Sequence, residues 1–227
     1  MTTGPRTGAP RTPAGALRLV EAQTPEPRTV DIAGYVDAVS AHCPYLAPSV
    51  RRGLTTWTVY EVASGDSEFV EAGLFHAGVQ AAEWVRPLAG RPHGALVCEN
   101  VVLLGDTGRL LDWPHWALKH LYAPVGLMIG KFHHGEERLD REDLPIPPPP
   151  YSFLPVRPAV RVRDPRFLAD TPELADALAD AVDDGRDVFA QAQAQLPHNW
   201  QAVKAWSRSL PVPQRPAPPR KPPAEAP

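Results

Sequence analysis

Apolar positions along the chain change their period from segment to segment, and those changes predict its elements. From Val30 to Ser40, Ile32, Tyr35, Val36 and Val39 recur at helical spacing. That helix is expected to stop before Pro44, because the residue before a proline is pushed out of the helical region, and Cys43 to Gly53 reads as a loop. Leu54 to Val62 is β-branched and aromatic and reads as a strand, ended by turn chemistry at Ser64-Gly65-Asp66. Phe69 to Val85 returns to helical spacing through Val70, Leu74, Ala77, Ala81 and Trp84, with Ser67 as its cap and Pro87 beyond its end. Ala95 to Leu104 is a nearly continuous apolar run, the mark of a buried strand, followed by the turn residues Gly105-Asp106-Thr107-Gly108.

The second half follows the same logic. Leu110 to Tyr122 predicts a helix that, capped by Asp112 or Trp113, tolerates Pro114 in its first turn, and Pro124 ends it. Leu127 to Phe132 reads as a short strand. Val156 to Val162 alternates as a further strand, which Pro158 should confine to a sheet edge. Thr171-Pro172-Glu173-Leu174 has the chemistry of a helix start, and Leu174, Leu178 and Val182 continue one face. Gly185 then interrupts, with a second amphipathic piece from Val188 to Leu196 and a short helix from Trp200 to Trp206. No glycine-rich phosphate loop follows any strand, which leaves doubly wound nucleotide binding without support. The expected fold is a single α+β domain, a small mixed sheet packed by helices.

Composition adds the limits of that domain. The chain has 227 residues, 43% of them hydrophobic, enough for one proper core. Its 29 prolines crowd toward the ends. Residues 1–28 and 211–227 therefore read as disordered, with the domain over 29–210 between them. Each end carries a net +2 against a total of −3, so the segment between carries −7. An acidic body argues against nucleic acid as a partner. No run of about 18 apolar residues predicts a membrane span, and the N-terminus lacks the apolar stretch of a secretory signal. With only Cys43 and Cys98 there is no disulfide framework. A cytoplasmic protein is expected.

Candidate chemistry gathers at Gly126-Leu127-Met128-Ile129-Gly130-Lys131-Phe132-His133-His134-Gly135. Here a rigid apolar segment opens into a loop bearing two histidines, and loops carried by a rigid scaffold are where function is displayed. Neighbours in a strand point to opposite faces, so the two rings do not chelate one metal together. His133 is the inward candidate, as general base or metal ligand, or as a plain capping residue of the loop. Trp113, Trp116 and His120 fall three and four apart on one helical face and, with Phe132, suit a flat pocket or simple core. Cys43, flanked by His42, Arg51 and Arg52, is a candidate thiolate ligand or an ordinary small buried thiol.

The string from Gly126 to His133 resembles the G-L-M-I-G-x-F-H signature of a family of uncharacterised bacterial proteins, many in gene clusters for specialised metabolites. Cys43-Pro44-Tyr45-Leu46-Ala47-Pro48 and Val160 to Leu168 fit it too; His134 departs from it, standing where a proline is common. The order of segments is more distantly similar to the YqcI/YcgG proteins, some of which are haem-dependent N-oxygenases. The resemblance implies a tailoring enzyme, with haem- or iron-dependent oxygenase chemistry on a small amine or amino-acid-like substrate. His133 or Cys43 would be the axial ligand, His133 and His120 would be catalytic, and Trp113, Trp116 and Phe132 would line the haem pocket. Two alternatives stand beside it. One is a metal-free enzyme with His133 as general base. The other is a non-catalytic accessory protein that binds a small molecule or a pathway enzyme through its Pro-rich tail.

Overall fold

In the computed structural model, described over residues 16–63, 67–140, 143–168 and 171–191, the β-branched runs pair as predicted. Strand β2 (Thr55–Val62) lies parallel to β3 (Cys98–Leu104), and helix α3 (Ser67–Val85) connects them as the crossover that a parallel pair requires. Strand β7 (Ser152–Pro158) runs antiparallel to β3, and β4 (Leu127–Ile129) antiparallel to β7. With β1 (Leu17–Thr24) beside β2, the sheet order is β1-β2-β3-β7-β4. Helices α1 (Ala33–Val39), α2 (Leu46–Arg51), α4 (Asp112–Tyr122), α5 (Pro172–Ala179) and α6 (Val188–Gln191) pack around it. The chain is a single α+β domain with a mixed five-stranded sheet, as its pattern predicts.

Alternation along β3 separates two cores. Val101 and Leu103 join Leu74, Phe75 and Ala82 of α3 and Leu118, Leu121 and Tyr122 of α4 in the main core. Val102 faces the other way, into a smaller core with Val36, Trp57, Val59 and Phe153. There Phe132 stacks on Phe153 with centroids 4.7 Å apart, and Tyr35 meets Phe153 edge-on. Arg138 covers the Phe132 ring, and His42 donates to Asp140 at 2.6 Å. The acidic loop after His134 is thus a strap over this second core. It contains a two-residue pairing of β5 (Arg138–Leu139) with β6 (Pro145–Ile146).

Three expectations need correction. Order begins before Thr29, because residues 17–24 form the edge strand β1. Its alternation of apolar and charged residues is short and is masked in the sequence by the Pro- and Arg-rich surroundings. The segment Cys43–Gly53 is not all loop, since α2 occupies its middle. Finally, the strand expected over 156–162 is shifted to Ser152–Pro158 and lies inside the sheet. Pro158 is its last residue, and the interior Pro155 uses its carbonyl, which accepts from the Gly130 N–H at 2.9 Å. The turn at residues 64–66, the helix at 200–206, the end of the piece at 188–196 and both terminal segments (1–15 and 211–227) lie outside the described residues. No helix among the described residues is long and apolar enough to cross a membrane.

Candidate functional site

The loop that leaves the C-terminal end of β3 determines the site. Gly105 takes φ +102°, which favours glycine. Asp106 then closes a turn, its Oδ1 accepting from the Gly108 N–H at 3.0 Å. Thr107 is 2% exposed, yet its hydroxyl has no hydrogen-bond partner. Across from this loop the chain leaves β4 through Gly130 and Lys131. His134 donates its N–H to the buried Ser152 hydroxyl at 3.0 Å, and Gly135 donates to the Pro149 carbonyl at 2.8 Å. Between the two walls lies a cavity of about 420 Å³, lined by residues 103, 105–108, 133–134 and 150–152. Its place, at the carboxyl end of a parallel strand, is where α/β sheets commonly bind ligands.

The first turn of α4 supplies the charge beside His133. Lys131 donates through Nζ to Asp112 Oδ1, and His133 Nε2 stands 3.5 Å from the same oxygen. The Lys131 hydrogen bond, chiefly, holds the Asp112 carboxyl below its ordinary range despite some burial. His133 is itself half-buried, and its N–H donates to Glu136 Oε2 at 3.2 Å. Burial pushes the Glu136 carboxyl up, but the Arg138 hydrogen bond outweighs it, so this carboxyl too is held low. His134 is exposed at the rim. The arrangement presents one imidazole, backed by an ionised carboxylate, to a cavity of small-molecule size.

The other candidates lie elsewhere. Trp113 packs on Phe75 at 5.7 Å in the main core. Trp116 is 37% exposed and packs at a tilt against His120, whose Nδ1–H is taken by the Trp116 carbonyl at 2.8 Å. Phe132 belongs to the opposite face of the sheet from Trp113. Cys43 lies near Arg157 and near Cys98 at the start of β3. A strand of this length puts that start about 20 Å from the His133 cavity. Cys43 and His133 therefore lie toward opposite ends of β3, and Trp113 and Phe132 on opposite faces of the sheet. Among the described residues, no three His, Cys, Asp or Glu side chains converge as a metal-ligand cluster. Burial pushes the Cys98 thiol up to about 12, which keeps it unreactive.

Sequence reasoning missed several members of this framework. Asp112 read as a cap and Asp106-Thr107 as a plain turn, although the turn directly precedes the helix that carries Asp112. Arg157 reads as one more residue of an edge strand, yet it donates to the fully buried Asp164 at 2.6 Å, which also accepts from the Val160 N–H at 2.6 Å. Glu99, 2% exposed in β3, accepts from Thr56, from Thr58 at 2.6 Å and from Gln23 at 2.7 Å, while burial pushes its carboxyl up. For Arg157 and Glu99 the hint was a charged residue inside an otherwise apolar or alternating run.

In comparison with known proteins, a family model described as a domain of unknown function (DUF6875) matches residues 39–202. No curated protein and no solved structure matches the chain.

Proposed function

Since the chain belongs to the DUF6875 family, whose description assigns no activity, we propose a function from the cavity itself. The protein is a tailoring enzyme that binds a small molecule at the C-terminal end of β3 and moves a proton with His133. The observation that carries this reading is the half-buried His133 imidazole lining the cavity, 3.5 Å from an Asp112 carboxylate that Lys131 keeps ionised. A carboxylate that accepts from Nε2–H leaves Nδ1 as the base and stabilises the imidazolium formed when a substrate proton arrives. The contact is loose, as catalytic pairs often are before a substrate draws them together. The resemblance of the Gly126–His133 string to proteins of specialised-metabolite clusters supports the tailoring role.

The iron- or haem-dependent version, with His133 or Cys43 as axial ligand, draws on the resemblance and on those residue types. Its wall residues are dispersed over both sheet faces, so we derive no step through such a group. The accessory-protein version rests on the Pro-rich tail, outside the described residues. A crystallographic soak with a library of small polar fragments separates these readings. Density between Gly105–Gly108 and His133–Ser152, within hydrogen-bond reach of the His133 ring, is the expected result. Fragments that collect elsewhere, with this cavity empty throughout, overturn the site.

A further inference from the structure

Ser152 brings a hydrogen-bond donor to the cavity, and that donor points to the class of substrate, on the premise that His133 is the base of this site. Two strand registers meet at this residue. Ser152 pairs with Leu103 across β7 and β3. Phe132 and Phe153 exchange both backbone hydrogen bonds at 3.0 Å, so the next residue along, His133, comes opposite Ser152. Residues directly opposite share a face, with Cβ atoms about 5 Å apart. That face is the main-core side, since Leu103 belongs to the main core and the His133 ring meets Asp112 on α4. Leu103, Ser152 and His133 all line the cavity.

The Ser152 hydroxyl is buried and only half used. The residue is 4% exposed. A hydroxyl has one hydrogen to donate and two lone pairs that accept. Its Oγ accepts from the His134 N–H at 3.0 Å, and among the described residues no group accepts its hydrogen. Native proteins leave few buried donors without a partner, and a ligand oxygen in the cavity supplies one. The rest of the wall selects the kind of oxygen. Among the described residues, neither lysine nor arginine lines the cavity, while the Asp106 carboxylate stands exposed at its rim. A carboxylate or phosphate would enter without a fixed counter-charge, whereas a neutral carbonyl oxygen needs none. The imidazole adds its own demand. It removes a proton from carbon only where the electron pair left behind is stabilised, and an adjacent carbonyl held by a donor does this.

We propose that the substrate is a small neutral carbonyl compound with a hydrogen on the carbon beside the carbonyl group, and that Ser152 donates to the carbonyl oxygen while His133 takes that hydrogen as a proton. The electron pair of the C–H bond becomes the carbon–carbon π bond of an enolate. The carbonyl π pair moves onto the oxygen, where the Ser152 hydrogen bond strengthens as charge develops. The imidazolium, with Asp112 beside it, returns the proton to carbon or oxygen, so the step consumes no further reactant.

Cyclohexanone tests this on the full chain, with sodium cyclohexanecarboxylate as the anionic control. In nuclear magnetic resonance titration, cyclohexanone is expected to shift the amides of His133, His134 and Ser152 saturably, and the carboxylate to bind more weakly. The infrared carbonyl stretch of the bound ketone should move to lower wavenumber in the parent chain and return toward its free value in Ser152→Ala. Ser152→Cys, close in size but a weaker donor, should fall between the two. In heavy water the parent chain should speed replacement of the hydrogens beside the carbonyl by deuterium. Ser152→Ala should lower that rate at saturating ketone by about a hundredfold, while Kd changes far less. A merely structural serine would change Kd and the urea midpoint and leave the stretch of the bound ketone where it was. Absence of saturable ketone binding, equal or tighter binding of the carboxylate, or a stretch unmoved in both Ser152 variants overturns the assignment. Exchange that requires His133 but not Ser152 removes the role of Ser152 and leaves His133 as the base; exchange undiminished in His133→Gln removes both.

Discussion

Asp164 illustrates how one buried charge fixes a segment. It is fully buried, and burial alone would push its carboxyl up; the Arg157 hydrogen bonds outweigh that and hold it low. Asp164→Ala leaves the Arg157 guanidinium unpaired and frees the Val160 N–H, and is expected to cost about 3 kcal/mol in urea unfolding. Glu99 works in the opposite direction. Its folded pKa is raised above the usual 4.5, so its contribution to stability is fully present below that value and is lost as pH rises. Glu99→Gln should therefore gain stability relative to the parent chain from pH 4.5 toward pH 8. A gap that stays constant over that range contradicts a raised carboxyl at Glu99.

Elements explain why the glycine-bracketed string holds its shape. Gly126 ends a 3-10 turn at φ +81°, a conformation that costs other residues about 1–2 kcal/mol. A Cβ on Gly130 would come within 2.8 Å of the Pro155 ring, because β4 and β7 approach closely there. Gly130→Ala is expected to destabilise by about 1–3 kcal/mol and to displace His133, three residues on; an unchanged urea midpoint contradicts this packing. The main helices and the parallel strands were legible because their periodicity is long and clean. β1 was not, because its Pro- and Arg-rich surroundings mask its alternation, and α2 was not, because it has only 6 residues and Pro48 lies among them. The interior place of β7 was hidden because Pro158 argues for an edge, and only the sheet reveals that Pro158 ends the strand while Pro155 still pairs through its carbonyl. At the site, His133 stood out through its motif. Asp112 and Asp106 did not, because no spacing rule brings residues so far apart in sequence together.

Across the described residues, His115 and His76 are held neutral by burial. His115 lies near pKa 3, pushed down by burial and by Lys119 and Lys131, and His76 lies near pKa 4 through burial. Both are depressed below the ordinary 6.5, so the unfolded chain binds more protons and stability falls as pH drops from about 6.5 toward 3. Each contributes a slope of up to about 1.4 kcal/mol per pH unit within its window. The urea midpoint should fall between pH 6.5 and pH 4, and His76→Gln should flatten that dependence. A midpoint that stays constant or rises on acidification contradicts the assignment.

The claim that His133 moves a proton in the cavity is tested most directly by turnover in a complex metabolite extract. The purified chain and its His133→Gln variant are incubated with the same extract, and mass spectrometry follows which compounds are consumed and which appear. The account predicts at least one substrate and product pair with the parent chain, reduced at least a hundredfold in the variant, as the loss of a general base requires. Equal conversion by both proteins, or conversion by neither, contradicts it.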